Sequence, residues 1–284
     1  MQGDPGFFGP DSVTWQVNRE FTVLFGGARA LLMHAAHPLV SAGARQTAMY
    51  QRNPWARLLR TLSLQNAVTF GTKDEAQEAA DRINKLHRII KGDDEVTGQY
   101  YDALAPDLLL WVHACLEVSS VWFFNRTVRQ LERDEMEQYH RESMIAAELV
   151  LLDRTQMPPT YGDLEDYVEE VLNSGDLVRT DVSDNVADLI RTGPVPAALK
   201  PLWMFISFAA FGTLPEQLHE MYEVAWSPGK QRLLDVNLRL LNEVRPWLPR
   251  RYRWIGPARW SAQRLAGDPD IRLSEMSKQS RPES

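Results

Sequence analysis

The stretch APDLLLWVHACLEVSSVWFFNRTVRQL, Ala105 to Leu131, decides the fold. A helix drawn through it is apolar on most of its sides, and a helix of that kind is buried by its neighbours. It predicts a central helix around which the rest of the chain packs. Helical patterns surround it on both sides. SVTWQVNREFTVLFGGARALLMHAAHPLV starts at a Ser12 cap and carries apolar residues at helical spacing. Gly26 and Gly27 weaken that helix unless another backbone packs closely there, and Pro38 ends or kinks it. NPWARLLRTLSLQNAVTF offers Asn53 as cap and Pro54 at the first helical position. TKDEAQEAADRINKLHRIIKG starts at Thr72 with acidic residues in its first turn, and Gly92 is placed as its stop.

Further helices are expected in LERDEMEQYHRESMIAAELVLLD, in MPPTYGDLEDYVEEVLNSG, near PEQLHEMYEVAW and in PGKQRLLDVNLRLLNEVRPW. The most hydrophobic run, Leu202 to Leu214, lies between Pro201 and Pro215. It is shorter than the roughly 20 residues a spanning helix needs, so it reads as a buried core helix and no transmembrane segment is expected. No alternating strand of useful length and no repeat stands out. The fold expectation is all-α, one large helical domain over residues 1–273 with a polar, disordered tail over 274–284.

Composition narrows the function classes. Of 284 residues, 44% are hydrophobic and 24% charged, as in ordinary globular proteins, and the formal net charge is −7. A polyanion is poorly suited to nucleic acid, because phosphate contacts need clustered Lys and Arg. One cysteine, Cys115, excludes an intrachain disulfide and a cysteine-based zinc site; it reads as a small core residue. MQGDPGFFGPDS lacks the pattern of a signal peptide, which points to the cytoplasm. The oligomeric state has no signature. Arg245 to Arg264 holds six arginines and no acid beside Trp247, Trp254 and Trp260, a basic segment that would suit an anion or acidic neighbour, or simply a surface that packs its tryptophans.

Six histidines carry the possible chemistry. On a helix, Ala80, Ile83, His87 and Ile90 share one face, so the His87 imidazole points inward. A neutral imidazole in an apolar pocket is what a haem iron needs as its protein ligand, and one such ring suffices. Arg57 and Thr61 are one turn apart, with Leu64 and Val68 continuing the stripe. A polar pair opening an apolar stripe suggests the mouth of a pocket, and Arg57 could pair with a carboxylate such as a propionate; the plain alternative is a surface arginine and a threonine bonded to its own turn. His34 and His37 in HAAH share a face at i,i+3, without a third ligand nearby. His113 sits deep in the apolar central helix.

A competing constellation is ferritin-like. Glu137-x-x-His140 and Glu216-x-x-His219 on separate helices are the spacing of di-iron carboxylate sites, with Glu20 and Glu117 as the remaining acids. Both motifs, however, lie in charged stretches that read as solvated faces.

The order of motifs carries a resemblance. His37-Pro38, then NPWARLLRT, FGT, His87 to Gly92 as H-x-x-x-x-G, and Tyr101 to His113 as Y-x-A-x-x-P-x-L-L-L-W-V-H resemble a large bacterial and fungal family that includes MpaB-type oxygenases and the latex-clearing rubber oxygenases. The similarity covers roughly Asp11 to Trp260. It implies a globin-like helical core holding b-type haem, and O2-dependent oxidative cleavage in the rubber enzymes. It implies that His87 is the iron ligand, following an Arg-x-x-x-Thr motif matched by Arg57 and Thr61, and that Arg60 stands where the rubber enzyme has a distal lysine. Guanidinium stays protonated and cannot ligate iron as an amine can.

The resulting expectation is a haem b oxygenase using O2 or peroxide on a small, largely apolar substrate. His87, Arg57, Thr61 and His37 would hold the cofactor, and Arg60 and His113 would serve the chemistry. The alternatives are a non-catalytic haem-binding or sensor protein and the di-iron protein.

Overall fold

The computed structural model describes residues 3–47, 54–193, 195–267 and 273, with the side chains of 54–61 outside that description. The fold is all-α. Its helices are α1 (Val13–Asn18), α2 (Leu24–Ala36), α3 (Pro38–Gln46), α4 (Pro54–Phe70), α5 (Lys73–His87), α6 (Pro106–Thr127), α7 (Arg133–Leu149), α8 (Tyr161–Asn173), α9 (Asp181–Thr192), α10 (Lys200–Gly212), α11 (Glu216–Met221), α12 (Pro228–Val244), α13 (Arg250–Arg253) and α14 (Gly256–Leu265). Between α5 and α6 lies an antiparallel hairpin, β1 (Lys91–Asp93) and β2 (Tyr100–Asp102), with Gly92 opposite Tyr101. The expected tail over 274–284 lies outside the described residues.

The Ala105–Leu131 reading holds: α6 is the central helix and packs most extensively on α2. By length and composition alone α6 could cross a membrane, but 61% of its apolar window is buried inside the fold. Three ties run along the α2–α6 contact. Trp111 Nε1 donates to the Met33 carbonyl at 3.3 Å, a His34 ring nitrogen lies 2.9 Å from the Val112 carbonyl, and Gly26 meets Ser119. A Cβ on Gly26 would lie 2.8 Å from the Ser119 carbonyl oxygen, so this is the close backbone approach that a mid-helix glycine permits. Gly27 is different: a Cβ there meets nothing within 4 Å. Gly26→Ala should therefore destabilise by about 1–3 kcal/mol, whereas Gly27→Ala should stabilise by about 0.5–1 kcal/mol through helix propensity. Urea midpoints of the two variants check the opposite signs.

Local chemistry explains the helix starts. The Ser12 hydroxyl caps α1 by accepting from Trp15 N at 3.1 Å. Thr72 and Glu75 form a reciprocal capping box at α5. Thr160 does the same with Asp163 at α8, and Thr180 with Ser183 at α9. Arg45 on α3 pairs with both Asp94 of the hairpin turn and Asp181 at the start of α9, which fastens those three elements.

Several expectations change. The first long pattern is not one kinked helix. Glu20 is extended, bridges to Trp254, and its buried carboxylate takes both Arg245 Nε at 2.8 Å and Nη2 at 2.6 Å, which separates α1 from α2. α5 ends at His87, five residues before Gly92, because the chain turns there into the hairpin. α9 lacked an expectation, although its buried Val182, Val186 and Ile190 have helical spacing. The run from Leu202 is only half a core helix: Ala209 to Gly212 are buried, but Leu202 is 38% and Met204 68% exposed.

Candidate active site

The N-terminal helices, the hairpin, α6 and α7 enclose a cavity of about 350 Å³. Its size falls in the range of small-molecule sites, and its wall is mostly aliphatic, with a few polar groups. Gly27, Leu31, Leu116 and Val112 face it from α2 and α6. The open space in front of Gly27 is cavity. Three imidazoles reach the wall: His34, His87 and His113.

His87 arrives as the last residue of α5. Ile83 and Leu86 line the cavity from the same helix end. Ile90 is no longer helical, but the turn closed by its amide on the His87 carbonyl at 3.1 Å returns it to the same wall. The inward face expected from spacing thus survives the early helix end.

The backbone of α4 passes beside the cavity, and Leu64, Val68 and Thr69 are on its wall. Leu64 and Val68 are the residues that spacing sets on one face with Arg57 and Thr61. The side chains of Arg57, Arg60 and Thr61 lie outside the described residues. His37 is elsewhere. It joins α2 to α3 with extended backbone, φ −80° and ψ 118°, so α2 ends at Ala36 and His34 and His37 share no helix face. The cavity wall includes His34 but not His37. Burial pushes the His37 ring below its usual pKa. His37, expected among the residues that hold the cofactor, is thus not on this cavity wall.

His113 stands one turn before Glu117 on α6, and both line the cavity. Its Nε2 lies 3.3 Å from Glu117 Oε2, near enough for attraction but outside good hydrogen-bond geometry. Glu117 is also the centre of a buried network. His140 Nδ1 donates to its Oε1 at 2.9 Å, and the Ser143 hydroxyl donates to its Oε2 at 2.5 Å. The other His140 nitrogen faces the Pro158 carbonyl at 2.8 Å. Both partners of His140 are acceptors, so both ring nitrogens carry protons and the ring is an imidazolium paired with the Glu117 carboxylate. Burial acts to raise the Glu117 carboxyl, but the nearby His113 and the hydrogen-bonded His140 outweigh it and hold it at about 2. Burial acts to lower His140, and Glu117 reverses that, leaving it raised.

This network replaces the di-iron constellation. His140 is fully buried rather than solvated, because Tyr139, His140, Ser143, Met144 and Ala147 form the inner face of α7. Glu137 is spent on the Tyr161 amide at 2.9 Å and on Arg133. Glu216 is exposed, and the His219 ring lies 2.6 Å from the Phe211 carbonyl. Glu20 is held by Arg245. Among the described residues, no group of three or more His, Cys, Asp or Glu is placed to hold a metal ion. From the sequence, Glu117 and His140 stand as candidate members of the less favoured di-iron set, with His140 on a solvated face; the signal for the buried pair was a lone acid inside an apolar helix, which must find a buried proton donor.

Cys115 is fully buried and its thiol is pushed well above the ordinary range by burial, as befits a core residue. Arg29 is buried, and among the described residues no carboxylate pairs with it. It donates to Ser119 Oγ at 2.7 Å and to the Thr213 carbonyl at 2.9 Å, and burial lowers it to about 10.

No curated protein and no solved structure matches the chain. Residues 15–243 match the family described as ER-bound oxygenase mpaB/B′/rubber oxygenase, catalytic domain, and with most of its length inside that match the chain belongs to this oxygenase family.

Proposed function

We propose that the protein is a b-type haem-dependent oxygenase acting on a small, largely apolar substrate, with His87 as the iron ligand and the cytoplasm as its compartment. The observation that carries this reading is the aliphatic cavity with imidazoles on its wall, in a chain of an oxygenase family. The residues suit the cofactor. One imidazole at a helix end, on the wall of an apolar enclosure, is a donor that haem iron accepts, and no covalent attachment motif Cys-x-x-Cys-His occurs in a chain with one cysteine. Bound haem would supply an iron centre able to activate O2 or peroxide.

The chain's own residues do the rest. The aliphatic wall excludes water and selects an apolar substrate. The space before Gly27 leaves room for it. Glu117, a carboxylate fixed by His140 and Ser143, faces His113 Nε2 at 3.3 Å and attracts that ring at the cavity wall. Arg57 and Thr61 would support the cofactor, and Arg60 would provide a fixed cation where the rubber enzymes have an amine.

Three imidazoles on one wall also permit a second reading, a six-coordinate haem carrier or sensor. Reconstituted, reduced protein should bind carbon monoxide and react with O2. Refusal of both ligands favours the carrier. His113→Ala should keep its haem but slow the reaction with O2 by about 10–100-fold, read as spectral decay of the reduced protein in stopped flow. Gly27→Phe should fill the cavity, leave the fold intact and exclude apolar ligands, read by a ligand-induced shift of the haem spectrum.

A further inference from the structure

We propose that the outer face of α12 and the Arg245–Tyr252 segment after it dock on an anionic lipid surface. α12 is amphipathic with two apolar stripes rather than one. Leu234 and Leu238 are buried against Phe25 and Phe123. On the other side Leu233, Val236, Leu240 and Val244 are 43–59% exposed. Their spacing of three, four and four residues puts them on one line along the helix. A soluble helix has no reason of its own to repeat apolar residues on its solvent side, and so long a row marks an interaction surface. The chain continues the row: Trp247 is 87% and Tyr252 58% exposed, with Leu248 beside them at 40%.

The charges around the row select the occupant. Lys230 to Arg253 holds seven Lys and Arg, of which Arg245 is taken by Glu20, against Asp235 and Glu243, within a chain of net charge −7. On a 3.6-residue wheel Lys230 borders the row on one side, and Arg232 and Arg239 on the other, with Glu243 the acid among them. Exposed Arg250 and Arg251 immediately precede Tyr252. Aliphatic groups in the middle, long cations at the edge and a Trp and a Tyr at one end are the composition of a helix lying in a membrane interface, where Arg stems run along the apolar surface and their heads meet lipid phosphates. A second copy is a poorer occupant. A two-fold interface sets the same patch against itself, and a patch whose border is mostly Lys and Arg has few acids of its own to answer them. The reading is independent of the haem proposal, although an apolar substrate would be met at such a surface.

The test is flotation of the purified full-length chain with two vesicle types, phosphatidylcholine alone and phosphatidylcholine containing phosphatidylserine. Binding is expected only to the second, and it should weaken as salt rises. Trp247→Ala should lower the partition coefficient by roughly tenfold. Arg251→Glu should lower it by roughly fivefold or more. Both sites are exposed, so far-ultraviolet circular dichroism should match the parent. The outcomes that overturn the proposal are no flotation with either vesicle, equal flotation of parent and variants, or a concentration-dependent dimer in light scattering that Leu240→Gln dissolves. The last result would assign the face to a second copy.

Discussion

His87→Ala protein is expected to leave haem reconstitution without a Soret band, with haem affinity reduced at least about a hundredfold. His87 stands on the wall of the apolar cavity at the end of α5. Of the two other imidazoles there, His34 has its Nε2 on the Val112 carbonyl, and His113 has its Nε2 toward Glu117. Recruiting either ring as a substitute ligand would disturb the α2–α6 contact or the Glu117 network. The variant should fold, because α5 is held by its capping box and by its packing on α4. His87→Gly gives the sharper test. Adding free imidazole should restore the Soret band if the missing group is an iron ligand, and should do nothing if His87 only supports the wall. Haem loss in His113→Ala with retention in His87→Ala would exchange the two roles.

The sequence made the central helix legible because burial on all sides leaves a plain mark: Leu108 to Phe124 has few positions that a solvated helix would tolerate. It made the helix starts legible because a capping box is a local device, complete within four residues, as at Thr72 and Glu75. What it hid depends on residues far apart in the chain. The break at Glu20 comes from a bond to Arg245, and the charge on His140 comes from Glu117 and from Pro158 beyond the end of its helix. A charged stretch such as ERDEMEQYHRE resembles a solvent face when read by composition. Only the placement of α7 against α6 shows that Tyr139, His140 and Ser143 are its inner side. The inward placement of His87 was legible through its apolar neighbours. The shared face of His34 and His37 was misread because i,i+3 spacing means a shared face only while the helix continues, and it stops at Ala36 before Pro38.

Glu117→Gln should cost little stability in mild alkali and about 3–5 kcal/mol near pH 5, where it leaves a buried imidazolium unpaired. In the parent, the carboxyl is held at about 2 against its ordinary 4.5. Its contribution is therefore complete above 4.5 and disappears as pH falls from 4.5 through about 2. His140 is raised above its ordinary 6.5. The imidazolium's contribution is complete below 6.5 and is lost as pH climbs through that raised value. The pair is thus at full strength between the ordinary values of its members, 4.5 and 6.5. In Glu117→Gln, burial acts on His140 without its counter-ion, so the ring gives up its proton above that window. A neutral ring can still donate to the Pro158 carbonyl and accept from the glutamine amide, which keeps the alkaline penalty near 1 kcal/mol. Inside the window, where the parent pair is at full strength, the ring must take up a proton without a carboxylate or go without it, and the penalty is largest there. Urea unfolding of parent and variant at several pH values measures the difference directly. A penalty that stays flat from mild acid to mild alkali would mean that His140 is neutral in the parent and that Glu117 receives hydrogen bonds rather than a charge.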